Sequence, residues 1–135
     1  CRAIDMTISS LYQVFVKLKE EKRLTDEIAS SLLEKYDERF LRALDLVNAR
    51  KVKKYIFRPS GVERWVVFGM HGEYLVIPRS FCQCDDFYIS VVVRKSKDTC
   101  YHLIAQTIAE ALGNYEEEIL DDSEYSNFMR KFHEI

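Results

Sequence analysis

Apolar residues in the first third of the chain recur at three- and four-residue spacing, which is the period of an amphipathic helix. Thr25 stands where its side chain can cap the second of three such stretches, and the polar residues 48–51 end the third. The stripes consist of Ile8, Leu11, Tyr12, Phe15 and Leu18; of Ile28, Leu32, Leu33 and Tyr36; and of Phe40, Leu41, Leu44 and Val47. The pattern predicts three helices that bury one face in a core and do not form a cofactor site.

The period changes to that of strands after residue 51. Residues 52–58 alternate loosely, and Pro59-Ser60-Gly61 is a strong turn signal. Residues 64–69 are rich in β-branched and aromatic side chains, His71-Gly72 forms a second turn, and residues 73–78 give a third apolar run. The pattern predicts an antiparallel meander of three strands.

The last third of the chain returns to helical spacing. Residues 86–94 are ambiguous between strand and helix, whereas residues 100–112 are expected to be helical and to stop at Gly113. The acidic segment 115–132 is also expected to form a helix. We therefore predict an α+β fold in one compact domain, with an N-terminal helical region (1–50), a β-meander with a metal-binding finger (51–112) and an acidic helical tail (113–135).

Composition supports a folded chain with an uneven charge distribution. Of 135 residues, 47% are hydrophobic, which argues against long disorder. No apolar run approaches the ~20 residues of a membrane span, and no secretory signal is recognised, so we expect reduced thiols inside the cell and no membrane partner. Residues 42–102 carry eleven basic and six acidic side chains, whereas residues 103–135 carry two basic and eight acidic ones. This dipolar distribution suits a protein that docks to partners.

Two pairs of soft ligands form the pattern C-x-C-x15-C-x-H, made by Cys82, Cys84, Cys100 and His102. Cys₃His is a recognised tetrahedral ligand set for structural zinc. Residues two apart point to the same side of an extended chain, but diverge by about 200° on a helix. We therefore expect Cys82 and Cys84 to leave the third strand together, Cys100 to precede a helix, and His102 to lie in its first turn.

Four protein ligands leave no open position for a catalytic water, so the ion is expected to be structural. Loss of one ligand should unfold residues 79–105. The alternatives are ordinary buried thiols and a redox-sensing site, which requires exposed cysteines of low pKa. His71, His133 and the Asp85-Asp86 pair are interpreted as solvated or helix-terminal groups, and no catalytic or nucleotide-binding motif occurs. We expect no enzymatic activity and no small-molecule substrate.

A basic stretch with interleaved aromatic residues is the best candidate for nucleic-acid contact. It consists of Arg50, Lys51, Lys53, Lys54 and Arg58, with Tyr55 and Phe57 between them. Lysine and arginine bind phosphates, and aromatic rings can stack on bases. The competing interpretation is a strand with a solvated basic face and an apolar inner face, as antiparallel sheets commonly have.

The C-x-C…C-x-H signature is that of the SWIM zinc finger, and residues 42–112 resemble the small SWIM-domain proteins of the Shu complex. The likeness is carried by ALDLV at 43–47, PSG at 59–61, CQC at 82–84, VVVRKS at 91–96 and the C-x-H-x-x-A run that ends at Ala105. The resemblance implies a nuclear, non-enzymatic subunit that holds one structural Zn²⁺ and forms a heterodimer with a RecA-like recombinase paralogue. It also implies that the complex promotes recombinase filament assembly on single-stranded DNA during homologous recombination, and that Ala105 packs behind the ligands.

Tyr101 stands where a basic residue is expected, and Asp85-Asp86 places acid beside the cysteines, so direct DNA contact through the finger is disfavoured.

Overall fold

The computed structural model describes residues 2–69, 72–84, 87–95 and 99–133, with the side chains of residues 2–10 and a few later ones outside that description. Five α-helices and five strands, with one π-helical and one 3₁₀ stretch, make up this part of the chain. The helices are α1 (Arg2–Glu21), α2 (Asp26–Tyr36), α3 (Glu38–Asn48), α4 (Tyr101–Leu112) and α5 (Tyr125–His133). The strands are β1 (Val52–Arg58), β2 (Val62–Gly69), β3 (Gly72–Ile77), β4 (Phe81–Cys82) and β5 (Glu116–Asp121). None of the helices within these ranges has the length and apolarity of a membrane span.

The three N-terminal helices are confirmed. Thr25 caps α2, since its hydroxyl oxygen accepts a hydrogen bond of 3.2 Å from the backbone N–H of Ile28. Each stripe contributes buried residues to the core, namely Leu11 and Leu18; Ile28, Leu32 and Tyr36; and Phe40 and Val47. Tyr12, Leu33 and Leu41, at the margins of the stripes, are exposed, and the side chain of Ile8 lies outside the described part of the structure.

The predicted antiparallel meander is confirmed in β1, β2 and β3, but the sheet that contains it is mixed. The strand order is β4-β3-β2-β1-β5, and β5 pairs parallel to β1. A short strand, β4, extends the meander antiparallel beyond β3, with Val76 opposite Cys82. The turn expected at His71 falls outside the described residues.

The prediction of a helix over residues 115–132 is wrong in its first half. Residues 116–121 form the edge strand β5, and α5 covers only Tyr125–His133. The register places Glu116 opposite Lys53 and Glu117 opposite Lys54. Opposite charges on adjacent strands stabilise a sheet, and this long-range pairing outweighs the local helix propensity of glutamate. The ambiguous segment 86–94 contains a π-helical stretch, Phe87–Val93, while the Asp85-Asp86 pair lies outside the described residues.

The sheet separates two hydrophobic clusters because successive strand residues point to opposite faces. One face packs against α1 to α4 and includes Val52, Trp65 and Val67. The other face packs against α5, with Tyr55 and Phe57 contacting Phe128. Helices α1 to α4 form the helical layer on the first face, and α4 is the most deeply buried of them. Its N-terminus lies against the β3–β4 end of the sheet.

Candidate metal centre

The four residues of the C-x-C…C-x-H pattern converge in space. Cys82 ends β4, Cys84 lies two residues beyond it, Cys100 occupies the N-cap position of α4 and His102 lies in the first turn of that helix. The potential ligand atoms lie within 4.8 Å of one another, and all four residues are buried. The expected placement of Cys100 and His102 at the start of a helix is therefore confirmed.

The imidazole of His102 lies in an aromatic setting and is 4% exposed. Its ring centroid is 4.6 Å from that of Tyr74 and 4.2 Å from that of Tyr101. Among the described residues, neither Nδ1 nor Nε2 has a hydrogen-bond partner. A buried polar atom without a partner costs free energy, and coordination of a cation by one of the two nitrogens removes that cost for the coordinating nitrogen.

The thiols also fit a cation. Within the described part of the chain, Cys82, Cys84 and Cys100 form no disulfide. Hydrogen bonds from Cys100 and Cys84, together with burial, raise the pKa of Cys82. The pKa of Cys100 is raised to about 12: a hydrogen bond with Cys82 opposes the rise, and a hydrogen bond with Cys84 and burial produce it. Cys82 and Cys100 therefore keep their protons unless a positive charge replaces them, and Zn²⁺ supplies that charge.

Gly69 makes room for His102, which sequence reasoning did not detect. This residue ends β2, and a Cβ added to it would lie 2.7 Å from Nε2 of His102 and 2.8 Å from Cε2 of Tyr74. Its φ angle is not positive. The reason for glycine is therefore the close approach of the two rings and not backbone conformation.

Two further residues hold the cysteine-bearing hairpin in place: Gln83 connects it to β3 and α5, and Arg79 connects it to the layer formed by α1 to α4. The backbone N–H of Gln83 donates to the carbonyl of Leu75 at 3.1 Å, and its side-chain amide donates to the carbonyl of Phe132. Arg79, in the turn between β3 and β4, pairs with Glu110 of α4 at 3.1 Å and covers the ring of Phe15 at 4.1 Å. Neither role was signalled by spacing along the chain, because Gln83 lies 49 residues from Phe132 and Arg79 lies 31 residues from Glu110.

The small residue expected behind the ligands is also in the core. Ala105 lies one turn after His102 in α4 and has no exposed surface. It belongs to the cluster that contains the three cysteines. A larger side chain would therefore have to displace either the helical layer or the ligand-bearing residues.

The basic residues proposed for nucleic-acid contact do not form an uncompensated cationic surface. Ion pairs join Arg50 to Glu116 at 3.2 Å, Lys53 to Glu118 at 2.7 Å, and Lys54 to Glu63 at 3.6 Å and Glu117 at 3.8 Å. The hydrogen bond to Glu118 raises the pKa of Lys53. Lys51 and Arg58 are exposed. The interleaved rings of Tyr55 and Phe57 are buried in the α5-facing cluster and cannot stack on bases.

Comparison with known proteins points to one group of zinc-finger proteins. No family model matches the chain. A zinc finger SWIM domain-containing protein 7 homolog of Dictyostelium discoideum is 28% identical, over 87% of this chain and 76% of the relative. Zinc finger SWIM domain-containing protein 7 of Danio rerio is 27% identical, over 83% of this chain and 81% of the relative. An uncharacterized protein of Archaeoglobus fulgidus is 30% identical, over 78% of this chain and 83% of its own. With the Cys₃His cluster in place, the chain belongs to the SWIM-type zinc-finger proteins.

Proposed function

We propose that Cys82, Cys84, Cys100 and His102 hold one structural Zn²⁺ and that the protein acts as a non-enzymatic binding subunit. Among the described residues, the unpartnered imidazole nitrogens of His102 and the three clustered thiols support a cation at this position. Zinc suits a closed set of three thiolates and one imidazole better than harder divalent cations do. All four ligands come from the protein, so the ion organises structure and has no position for substrate.

The ion would organise a surface for protein binding. The stretch Phe87–Val93 lies between the two ligand pairs and carries large apolar side chains that are 43–60% exposed: Tyr88, Ile89, Val92 and Val93. Exposed apolar clusters of this kind mark protein interaction sites. Tyrosine and large aliphatic side chains supply the binding energy of many interfaces.

The partner that best fits the family resemblance is a RecA-like recombinase paralogue in a 1:1 heterodimer. In this proposal the pair works in the nucleus, where it promotes recombinase filament assembly on single-stranded DNA during recombinational repair. The single observation that carries the binding role is the apolar segment held between the zinc ligands. The names of the relatives support the zinc finger and leave the partner to experiment.

Co-expression with the RecA-like paralogues of the same organism tests both the zinc site and the proposed partner. Wild type should elute with one paralogue as a 1:1 complex that contains one zinc per chain. Cys84→Ser should lose the metal and the complex together. The double variant Tyr88→Ser/Val93→Ser should keep the metal and lose the complex, because it removes apolar area and no ligand.

A matched control is the pair Leu33→Ser/Leu41→Ser, which removes exposed apolar side chains from α2 and α3. It should keep both zinc and partner. A complex that survives the Tyr88/Val93 double variant would show that the partner docks elsewhere. Wild type that forms no complex with any paralogue would refute the binding partner, and reduced protein without zinc would refute the metal centre.

A further inference from the structure

Three consecutive glutamates of β5 lie against the basic strand β1. Glu116, Glu117 and Glu118 stand beside residues 53–55 in the parallel register. Their carboxylates pair with Arg50, Lys54 and Lys53, respectively, at 3.2, 3.8 and 2.7 Å. The most acidic run of the chain therefore compensates its most basic run.

The pairs are arranged so that little of the positive charge is left for an external anion. The side chain of Lys54 is only 16% exposed and lies between Glu63 of β2 and Glu117 of β5. The side chain of Lys53 is 24% exposed, with its ammonium group bonded to Glu118. An adjacent opposite charge turns a cation into part of a short dipole, whose potential falls off faster with distance than that of a single charge. Salt screens the remainder beyond a Debye length of about 8–10 Å. Arg50 is more open, but it shares its guanidinium between Glu116 and Asn114.

We propose that β5 is an internal electrostatic competitor that prevents β1 from binding single-stranded DNA. The carboxylates of β5 occupy the guanidinium and ammonium groups that phosphates would otherwise contact. Lys51, just before β1, and Arg58, at its end, are exposed and add positive charge beside the paired side chains. Because Tyr55 and Trp65 are buried, the suppressed binding is to phosphates and does not involve base stacking.

This inference is independent of the proposed partner. It predicts that the isolated subunit binds DNA weakly although it carries a basic strand. It also predicts that neutralising β5 creates binding without any added cation. The paralogue complex does not require β5 to be open, so failure of either proposal leaves the other standing.

The test compares wild type with the triple variant Glu116→Gln/Glu117→Gln/Glu118→Gln. Glutamine keeps the length of the side chain and leaves the backbone pairing of β5 with β1 in place. The probe is a fluorescent 30-nucleotide oligothymidylate, with binding followed by anisotropy at 50 and 200 mM salt. We expect the triple variant to bind at least tenfold more tightly at the lower salt. The slope of log affinity against log salt should steepen by roughly 1.4–2.1, because each new phosphate contact on a single strand adds about 0.7.

Two controls separate unmasking from a change in net charge. Glu20→Gln/Glu21→Gln/Glu34→Gln makes the same change in charge at exposed positions of α1 and α2, and should leave binding near wild type. Adding Lys53→Gln and Lys54→Gln to the β5 triple variant should abolish the gain. A gain that survives this addition, or that the α1/α2 control reproduces, would overturn the proposal, and so would a folded triple variant that binds no better than wild type.

Folding of each variant is checked by its zinc content and thermal midpoint. If the triple variant unfolds, the single change Glu118→Gln, which removes only the 2.7 Å pair with Lys53, takes its place. That variant should gain about two- to threefold at 50 mM salt. An unchanged affinity in folded Glu118→Gln would likewise refute the masking role.

Discussion

Gly69→Ala tests whether the geometry around His102 sets the affinity for zinc. The added methyl group would lie 2.7 Å from Nε2 of His102 and 2.8 Å from the ring of Tyr74. Both distances are well below ordinary van der Waals contact, and the ring of His102 is 4% exposed and packs against the rings of Tyr74 and Tyr101. The substitution therefore cannot be accommodated by a flexible side-chain end that swings into solvent.

The expected loss follows from how far the imidazole must move. Restoring ordinary contact of about 3.4 Å requires a retreat of roughly 0.7 Å from the 2.7 Å position. Metal–ligand distances tolerate only about ±0.2 Å. Overpacking of a buried site costs ~1–3 kcal/mol. If that cost falls on the metal-bound state, zinc affinity drops by about 5- to 150-fold.

Competition with a chromophoric chelator measures this affinity directly. Gly113→Ala is the matched control, because Gly113 caps α4 with a φ of 71° and an added Cβ meets nothing within 4 Å. It should lower the free energy of unfolding by about 1 kcal/mol and leave zinc affinity unchanged. A Gly69→Ala protein that is folded and binds zinc like wild type would refute the assignment of His102 as a ligand held by close packing.

Three further outcomes are expected. In the metal-free protein, the pKa of Cys100 is raised from 9.0 to about 12. The stability that the protonated thiol contributes is therefore present below pH 9 and is lost as the pH rises toward 12. Thermal melting with chelator from pH 8 to 11 should show this fall in stability, and Cys100→Ala should reduce it. Phe128→Ala should lower the unfolding free energy by ~3–5 kcal/mol, because the ring centroid of Phe128 lies 4.7 Å from that of Tyr55 and 5.3 Å from that of Phe57. Phe81→Ala, at a 37% exposed position, should cost about 0.5 kcal/mol or less. Denaturant titration measures both changes. Chelation of the metal should speed amide hydrogen exchange in residues 81–99 while α4 stays protected, and loss of protection throughout α4 would contradict the buried packing of that helix.

The metal-site residues and most of the N-terminal and central elements could be predicted because their signals are local. Thr25 stands at a capping position, Gly113 adopts the left-handed conformation that ends α4, and the two C-x-C and C-x-H pairs specify their own geometry. Helical and strand periods likewise depend only on neighbours along the chain. These features require no knowledge of what packs against them.

The missed features all depend on partners far away in sequence. Glu116 to Glu118 favour a helix in isolation, and only the cations of β1 explain why they form a strand. The sequence shows Gly69 only as a residue at the end of a strand. Its close approach to His102, 33 residues later, is seen only in the folded chain. The segment 86–94 remained ambiguous because its consecutive β-branched residues oppose a regular helix, while the two ligand pairs on either side constrain its ends.

The start of α4 packs against other helices as well as against the cysteine ligands, which changes what ligand loss is expected to do. The sequence predicts that residues 79–105 unfold together. In the structure, however, Leu103, Ile104 and Ala105 are 0–2% exposed within the cluster formed with α1 and α3, so the start of α4 is held by the helical layer. Arg79 is tied to Glu110 independently of the ligands. We therefore expect ligand loss to affect mainly residues 81–99, a narrower region that contains the exposed apolar segment. A change in metal occupancy can thus alter the proposed binding surface while the rest of the domain stays folded.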